Sequence, residues 1–189
     1  MLSGGAVSNR KMRRLARRLH VVAGWIRPLA AALSRAEAFH GCELTRAARA
    51  DEERLFALHR DAMRDYVEET WGWDEAWQRS FFTQTFAPAR HALIMRREAA
   101  FSLGHTLVGR ICLTRHWRRV FLRDIELVAA ERNRGLGTAI VSAILELARA
   151  RRQAVELLVL KCNPAQRLYA RLGFAIVADD GARLTMRAM

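Results

Sequence analysis

Two periods of apolar and polar positions run along the chain and predict its helices and strands. Apolar residues three and four apart predict helices from Asp51 to about Glu69, from Asp74 to about Gln84, and from Thr138 to about Arg151. Short apolar runs predict strands at 43–48, 91–95, 107–114, 120–128, 154–160, 174–177 and 182–186, with a short addition at 101–103. A further helix is predicted up to Leu172, with Asn163 as its cap and Pro164 in its first turn. The order β-α-α-β-β-β-α-β-α-β-β indicates an α/β fold with a mixed sheet and helices on its faces. The nearly continuous apolar run at 154–160 predicts a central strand buried on both faces.

The first forty residues have a different pattern from the rest. From Arg10 to about Ile26, an apolar stripe at helical spacing faces an arginine-rich side. Three interpretations are open: a membrane-surface or transit-like helix, a helix packed on the domain or on a partner, or an artefact of the assigned start site. Gly24, Pro28 and Gly41 predict a boundary near residue 40. We therefore expect a basic extension over 1–40, flexible or amphipathic-helical, and one domain over 41–189.

The charge of the chain raises the question of a nucleic-acid partner, since the net charge is +13. Residues 1–40 carry eight basic residues and one acid, so about half of the excess lies in the extension. Only Lys11 and Lys161 are lysines, which indicates a codon bias toward arginine more than a selected binding face. We expect no nucleic-acid partner, and DNA binding through the extension remains a third hypothesis.

Composition also bounds the class of protein. Hydrophobic residues at 51% and charged residues at 27% are typical of a soluble globular protein, and no apolar run is long enough to cross a bilayer. The three cysteines are far apart and form no Cys-x-x-Cys, which favours neither a disulfide framework nor a zinc site. The histidines show no ligand spacing, so we predict no metal. A cytoplasmic location follows from the cysteine usage.

A glycine-bearing turn at 132–137 joins the strand ending near Val128 to the helix that follows. Backbone N–H groups of such a turn and of the first helical turn converge on one point, which suits a phosphate or pyrophosphate. Gly135 and Gly137 allow close approach of the ligand, and Arg132 and Arg134 add charge, unless these arginines are a solvated surface pair. A dinucleotide-binding motif is disfavoured because an isoleucine stands at its third glycine, and a P-loop because no Gly-Lys-Ser/Thr follows.

Two segments resemble the signatures of the GNAT superfamily of acyl-CoA-dependent N-acetyltransferases. Residues 132–137, Arg-Asn-Arg-Gly-Leu-Gly, fit the pattern Q/R-x-x-G-x-G/A. Residues 163–174, Asn-Pro-Ala-Gln-Arg-Leu-Tyr-Ala-Arg-Leu-Gly-Phe, resemble N-x-x-A-x-x-L-Y-x-x-L-G-F with a slightly shorter spacing from asparagine to alanine. The order of elements also matches the family, and the resemblance spans roughly residues 43–187.

The resemblance implies a GNAT-like fold and acetyl-CoA as cosubstrate. It implies that the pyrophosphate of CoA lies on the amides of residues 134–138, and that the pantetheine arm pairs like a strand with the backbone of Leu127 and Val128. The residues expected to contact the cosubstrate are Leu127, Val128, Arg132, Asn133, Arg134, Gly135, Leu136, Gly137, Thr138, Asn163 and Arg167.

Transfer of an acyl group to an amine requires a base, because an alkyl ammonium with a pKa near 10.4 holds its lone pair as a proton. Glu126 is the best-placed carboxylate, since it precedes the pyrophosphate turn on the same strand, and Asp124 shares its face. The family often has its base there, so the resemblance supports Glu126, acting directly or through water. The alternative is a carboxylate paired with one of the many arginines.

Tyr169 matches the tyrosine that many family members use to protonate the departing CoA thiolate. A thiol with a pKa near 8.5 is already a fair leaving group, so this acid helps without being indispensable. The alternative is a core aromatic residue on an amphipathic helix. Asn163 is expected to hydrogen-bond CoA, to cap its helix, or both.

The acceptor is expected to lie against the first two helices of the domain. Acids beside aromatic residues suit a cationic amine, and we predict contacts from Tyr66, Glu68, Trp71 and Trp73. The alternative is that the tryptophans fill the core while the acids are solvated.

The sequence as a whole predicts an N-acetyltransferase that moves an acetyl group from acetyl-CoA to a primary amine by direct transfer, without a covalent enzyme intermediate. The acceptor is a small-molecule or peptide amine, and the protein is a monomer or homodimer. The alternative from another class is a non-catalytic CoA-binding or regulatory module on the same fold.

Overall fold

The computed structural model describes residues 22–98, 104–116 and 118–189, and within them the predicted order of elements is confirmed. The strands are β1 (Cys42–Arg46), β2 (His91–Arg97), β3 (His105–His116), β4 (Arg119–Leu127), β5 (Ala154–Leu160), β6 (Ala175–Asp179) and β7 (Arg183–Ala188). The helices are α1 (Val22–Leu33), α2 (Glu52–Trp71), α3 (Glu75–Thr85), α4 (Leu136–Ala150) and α5 (Ala165–Arg171). The strand residues predicted at 101–103 lie outside the described ranges.

The strands form one mixed sheet of seven, in the order β1-β2-β3-β4-β5-β7-β6. Every neighbouring pair is antiparallel except β4 and β5, which are parallel. These two pair only from Arg119–Ala154 to Leu122–Leu157. Directly after Leu122 the register of β3 and β4 shifts at a β-bulge between Cys112 and Leu113. Because bulges bend strands, β4 departs from β5 at this point and a gap opens between them.

Helices cover the sheet on both faces and give two hydrophobic cores. On one face, α1 and α4 contribute to the larger core, for example through Leu33, Ile140 and Ile144. On the other face, α2 and α3 contribute to a smaller core that includes Phe56 and Phe82. The site described below lies where the second pair of helices meets the gap.

Strand β5 buries one face more completely than the other, contrary to the prediction that both faces would be buried. Val155, Leu157 and Val159 are buried in the larger core, whereas Leu158 is 42% exposed. The smaller core under α2 and α3 includes Leu93 and no residue of β5, so the second face of β5 lacks that cover.

Helix α1 lies before the boundary predicted near residue 40, and it packs against the larger core. Trp25, Ile26, Leu29 and Leu33 are buried in the larger core. Their spacing of three and four residues gives α1 an apolar side that packs against the sheet and α4. For the described part of the stretch from residue 10 to 26, packing on the domain is therefore the interpretation that holds.

Across residues 22–98, 104–116 and 118–189, no helix combines the length and hydropathy that a bilayer span requires.

Candidate functional site

The gap between β4 and β5 opens into a cavity of about 520 Å³. Its walls come from α2, the end of β4, the glycine turn and α5. From the predicted cofactor residues it is lined by Leu127, Arg132, Asn133, Gly135, Gly137, Thr138, Asn163 and Arg167. The structure therefore brings the two signature segments together around one cavity, although a helix and a strand separate them in the sequence.

The glycine turn places the start of α4 against this cavity. Gly135 has a φ of +83°, a left-handed conformation that costs glycine little, and Asn133 has a φ of +59°. The N–H of Ala139 donates to the carbonyl of Gly135 at 2.9 Å as the first bond of the helix. The N–H groups of residues 136–138 therefore precede the first helical bond, as at every helix start, and can receive an anion.

The two arginines of the turn have different roles. The Nε of Arg132 donates to the carbonyl of Leu127 at 3.0 Å, and its Nη2 donates to the carbonyl of Asp61 at 3.2 Å. Arg132 therefore ties the turn to β4 and α2. The side chain of Arg134 is 67% exposed and its nearest ion pair, with Glu131, is 4.0 Å long. Of the two arginines, Arg134 is therefore the one whose guanidinium is available to bind a phosphate.

Three predicted cofactor contacts are not part of the cavity wall. Leu136 is buried in the larger core, and the side chain of Arg134 points to solvent. The backbone of Val128 is already engaged, because its N–H donates to Val108 at 3.0 Å and its carbonyl accepts from Glu131 at 3.0 Å. The pairing of pantetheine with Leu127 and Val128 stays a prediction, and of these two residues Leu127 is the one that lines the cavity.

A buried charge cluster stands at the end of β4. Both oxygens of Glu126 accept from Arg110, at 2.6 Å from Nε and 2.8 Å from Nη2, and Oε1 also contacts Nδ1 of His59 at 2.7 Å. Burial alone would raise the pKa of Glu126, but the Arg110 charge and His59 outweigh it and hold this pKa well below its ordinary value. Glu126 therefore stays ionised across the physiological range.

This pairing argues against Glu126 as a direct proton acceptor. Its side chain is 3% exposed, and a carboxylate of lowered pKa is a weak base. The alternative interpretation, a carboxylate paired with an arginine, describes the contact with Arg110. No local pattern in the sequence indicates this cluster, because Glu126 lies 16 positions from Arg110 and 67 from His59.

On the far side of Arg110, a second histidine completes the cluster. Nδ1 of His91 lies 3.2 Å from Nη1 of Arg110, and its Nε2 lies 3.8 Å from the sulfur of Cys112. Burial first, and then the Arg110 charge, lowers the pKa of His91 to about 3. His91 is therefore neutral and accepts from Arg110 through Nδ1.

Tyr169 lines the cavity from α5, and its ring packs 5.7 Å from that of Phe174. Burial, with a smaller effect from Asp124, raises the pKa of Tyr169 to about 12. Its hydroxyl therefore keeps its proton at neutral pH. Asn163 lines the same cavity, and its Oδ1 accepts from the N–H of Ala165 at 2.9 Å, so it caps α5.

The predicted acceptor residues fall into two groups. Tyr66 lines the cavity, and the ring of Trp73 lies 6.4 Å from that of His59. Glu68 instead accepts from the backbone N–H of Trp73 at 3.2 Å and so fixes the turn after α2. Trp71 is 59% exposed and lies 5.7 Å from the guanidinium of Arg183, so this tryptophan does not fill the core.

A second, smaller cavity of about 70 Å³ adjoins the charge cluster under α3. Phe82, His59 and Arg110 form part of its wall, and Asp124 contributes a further carboxylate. The cluster thus stands between two cavities, one at the glycine turn and one under α3.

A model of the acetyltransferase (GNAT) family matches residues 53–174 of this sequence, which is more than half of the chain. The chain belongs to the GNAT acetyltransferase family. The matched region begins in α2 and ends just after α5, so it contains all the residues that line the larger cavity. A search of curated proteins finds no match to this chain.

Solved GNAT structures have the same fold at low sequence identity. The PaiA N-acetyltransferase from Thermoplasma acidophilum in complex with coenzyme A is 16% identical, with a TM-score of 0.59 over 77% of this chain and 97% of that one. NAA60 from Arabidopsis thaliana, in complex with a bisubstrate analogue, is 18% identical, with a TM-score of 0.54 over 77% and 96%. Naa50 from the same plant, in complex with the bisubstrate analogue CoA-Ac-MVNAL, is 13% identical, with a TM-score of 0.53 over 79% and 99%.

Proposed function

We propose that this GNAT protein is an N-acetyltransferase that moves the acetyl group of acetyl-CoA to a primary amine by direct transfer. The observation that carries the proposal is the cavity beneath α2, which joins the start of α4 to the end of β4 on the side that β5 leaves open. An elongated cosubstrate with an anionic end and a reactive end fits such a cavity. The complexes of its structural relatives with coenzyme A or bisubstrate analogues support the same class of ligand.

In this proposal the parts of the cavity have separate tasks. The pyrophosphate is received by the amides of residues 136–138 and by Arg134, and the pantetheine arm runs along Leu127 toward Tyr169. The amine approaches from the α2 side, near Tyr66. Its nitrogen forms a bond to the thioester carbonyl carbon, the C–S bond breaks, and CoA departs as a thiolate.

Tyr169 is proposed to hydrogen-bond that thiolate without giving up its proton completely. A phenol with a pKa of about 12 is a far weaker acid than a thiol with a pKa near 8.5, so complete transfer to the sulfur would be uphill by about 5 kcal/mol. A hydrogen bond to a charged group still stabilises the thiolate by about 1.5–3 kcal/mol.

Changing Tyr169 to Phe is accordingly expected to lower kcat by roughly 10- to 100-fold, since it removes one hydrogen bond to a developing charge. The dissociation constant of CoA is expected to change little, because the ring and its packing against Phe174 remain. Steady-state kinetics and calorimetry measure the two effects. A variant that loses affinity at unchanged kcat would make Tyr169 a binding residue instead.

Changing Arg134 to Ala is expected to raise the KM for acetyl-CoA by roughly 3- to 10-fold at unchanged kcat, because an exposed charge contributes about 1 kcal/mol to a phosphate contact. The effect should shrink as salt is raised. Arg27→Ala, on the exposed side of α1, is the matched control. An equal change in both variants would show a general charge effect and remove Arg134 from the site.

Release of CoA thiol from acetyl-CoA across a panel of amines tests the function. The panel includes polyamines, amino acids, antibiotics and peptides with free N-termini, the last because of the peptide analogue bound to Naa50. Turnover of any amine supports the enzyme. Binding of CoA by calorimetry without turnover of any panel member would favour the non-catalytic module instead. A cytoplasmic location and a monomeric or homodimeric state stay predictions.

A further inference from the structure

We propose that His59 is the residue that takes the proton from the acceptor amine, and that Glu126 and Arg110 hold it in position. The proposal rests on the proposed acetyl transfer and names the base for it. It also replaces the direct role expected for Glu126 with a supporting one.

The first argument is where His59 stands on α2. Ala62, Met63 and Tyr66 all line the larger cavity, and they follow His59 by three, four and seven residues, which puts them on the same face of the helix. Glu126, the partner of His59, lines that cavity as well. His59 itself forms part of the wall of the smaller cavity. The His59–Glu126 pair therefore spans the two cavities, with His59 on the wall of the smaller one and Glu126 on the wall of the larger one.

The second argument is the tautomer that its partners impose. An ionised carboxylate only accepts hydrogen bonds, so the contact of 2.7 Å between Nδ1 of His59 and Glu126 requires the proton on Nδ1. The Nη2 of Arg110 lies 3.5 Å from the same nitrogen, and its hydrogen bond goes to Glu126 at 2.8 Å. The lone pair of the neutral ring is then on Nε2, for which the described ranges contain no hydrogen-bond partner. Nε2 is thus the free acceptor of the pair.

The third argument is that the surroundings fix the ring beside a carboxylate. Phe82 and Trp73 lie 5.6 and 6.4 Å from the imidazole, and its side chain is 18% exposed. A proton gained at Nε2 gives an imidazolium in contact with an ionised carboxylate. Glu126 remains fixed throughout, because Arg110 holds both of its oxygens.

The other charged groups around His59 belong to the neighbouring strands. On β4, Asp124 lies 3.5 Å from Nη2 of Arg110, and Arg123 lines the smaller cavity. Arg90, just before β2, lines that cavity too, and on β2 itself His91 is neutral. The positive charge of Arg110 is thus matched by two carboxylates, and His59 is the member of the cluster with an open protonation site.

The step balances without a further reactant. One proton of the ammonium passes to Nε2, the freed lone pair bonds to the carbonyl carbon, and the C–S electrons leave with the CoA sulfur. After the C–S bond breaks, the nitrogen still carries one surplus proton and gives it to the thiolate, which accepts a hydrogen bond from Tyr169, while His59 returns its own proton to water. The products are the amide, CoA and one released proton.

The kinetic test compares His59→Gln, Glu126→Gln and the wild type over a range of pH. In the wild type, kcat/KM is expected to rise along one acid limb. His59→Gln should lose that limb and lower kcat by roughly 10²- to 10⁴-fold, with the KM for acetyl-CoA within about threefold. Glu126→Gln should lower kcat and keep a limb, since the imidazole remains. His105→Gln, a half-exposed histidine 3.5 Å from Glu43, is the matched control and should behave as wild type.

Added imidazole gives a second readout that a merely structural role would not move. It is expected to restore part of the kcat of His59→Gly and none of that of Glu126→Gln. A His59→Gln variant that binds CoA normally and keeps both the acid limb and a kcat within about threefold of wild type overturns the proposal. The proposal is also overturned if Glu126→Gln loses the acid limb of kcat/KM while His59→Gln keeps it.

Nitrogen-15 NMR of histidine-labelled protein determines the tautomer of His59 in its pair with Glu126. This measurement does not depend on turnover of an amine or on the folding of a variant. The neutral ring of His59 is expected to be protonated at Nδ1 and unprotonated at Nε2, and Glu126→Gln should alter that resonance. An Nε2–H tautomer in the wild type overturns the proposed base. If the Nδ1–H tautomer is found and the wild type acetylates nothing, the proposed function has failed while the geometry of the pair stands.

Discussion

Changing Arg110 to Met is expected to lower the free energy of unfolding by about 3–5 kcal/mol at neutral pH, because it leaves Glu126 as a buried carboxylate without its guanidinium. Both side chains are almost fully buried, and the two hydrogen bonds between them are 2.6 and 2.8 Å long. Denaturant unfolding measures the change. Arg119→Met removes a longer and half-exposed pair with Glu156 and is expected to cost less than about 1 kcal/mol.

The loss in Arg110→Met should grow as pH rises. In the wild type the pKa of Glu126 is lowered, so its contribution is present above the unfolded pKa and is lost only when pH falls through the folded one. In the variant, burial without Arg110 would raise the pKa of Glu126 above its unfolded value. As pH rises, ionisation of this buried carboxyl would then lower the free energy of unfolding further. The difference between the two proteins should therefore be smaller near pH 4 than near pH 7.

The double variant Arg110→Met with Glu126→Leu completes the experiment. Replacing both partners of a buried pair by apolar residues removes the unpaired charge, so much of the stability should return while activity stays low. A single Arg110→Met variant as stable as the Arg119→Met control would mean that Glu126 reaches water, contrary to the burial described above.

The second large effect concerns α1. Leu33→Ala is expected to lower the free energy of unfolding by about 2–5 kcal/mol, because the side chain is fully buried and leaves a cavity in the larger core. Arg27→Ala, on the exposed side of the same helix, should stay within about 0.5 kcal/mol of wild type.

Equal stability of these two α1 variants would return α1 to the extension predicted over residues 1–40. If Leu33 behaves as expected, a chain beginning at Gly41 would lose the buried side chains of Trp25, Ile26, Leu29 and Leu33 and should not fold stably. The two outcomes therefore decide where the domain begins.

The sequence predicted most elements because each one has its own local pattern. The strand ending at Leu127, the glycine turn and the helix from Leu136 follow one another as expected, and the two signatures line one cavity. The failures arise where partners are distant. No periodic pattern in the sequence predicts the departure of β4 from β5 or the contact of Arg110 with Glu126, because both depend on the register of strands.

The sequence leaves the placement of α1 open for a different reason. The apolar stripe that ends at Ile26 is evident in the sequence, but the arginines beside it and the later Pro28 favour a basic extension before the domain. Pro28 lies inside α1 in the structure. An apolar stripe alone does not show whether a helix packs on its own domain or on a partner. The sequence therefore does not decide between these two interpretations.

Gly109 determines how closely two strands approach at the site. A Cβ at this position would lie 2.6 Å from the carbonyl oxygen of Glu126 and 2.6 Å from Cδ2 of Leu127. Any side chain here would push β4 outward and displace the residues that carry the charge cluster and the cavity wall. The clearance between β3 and β4 is thus set by an absent methyl group, and position 109 tolerates no larger residue than the one it has.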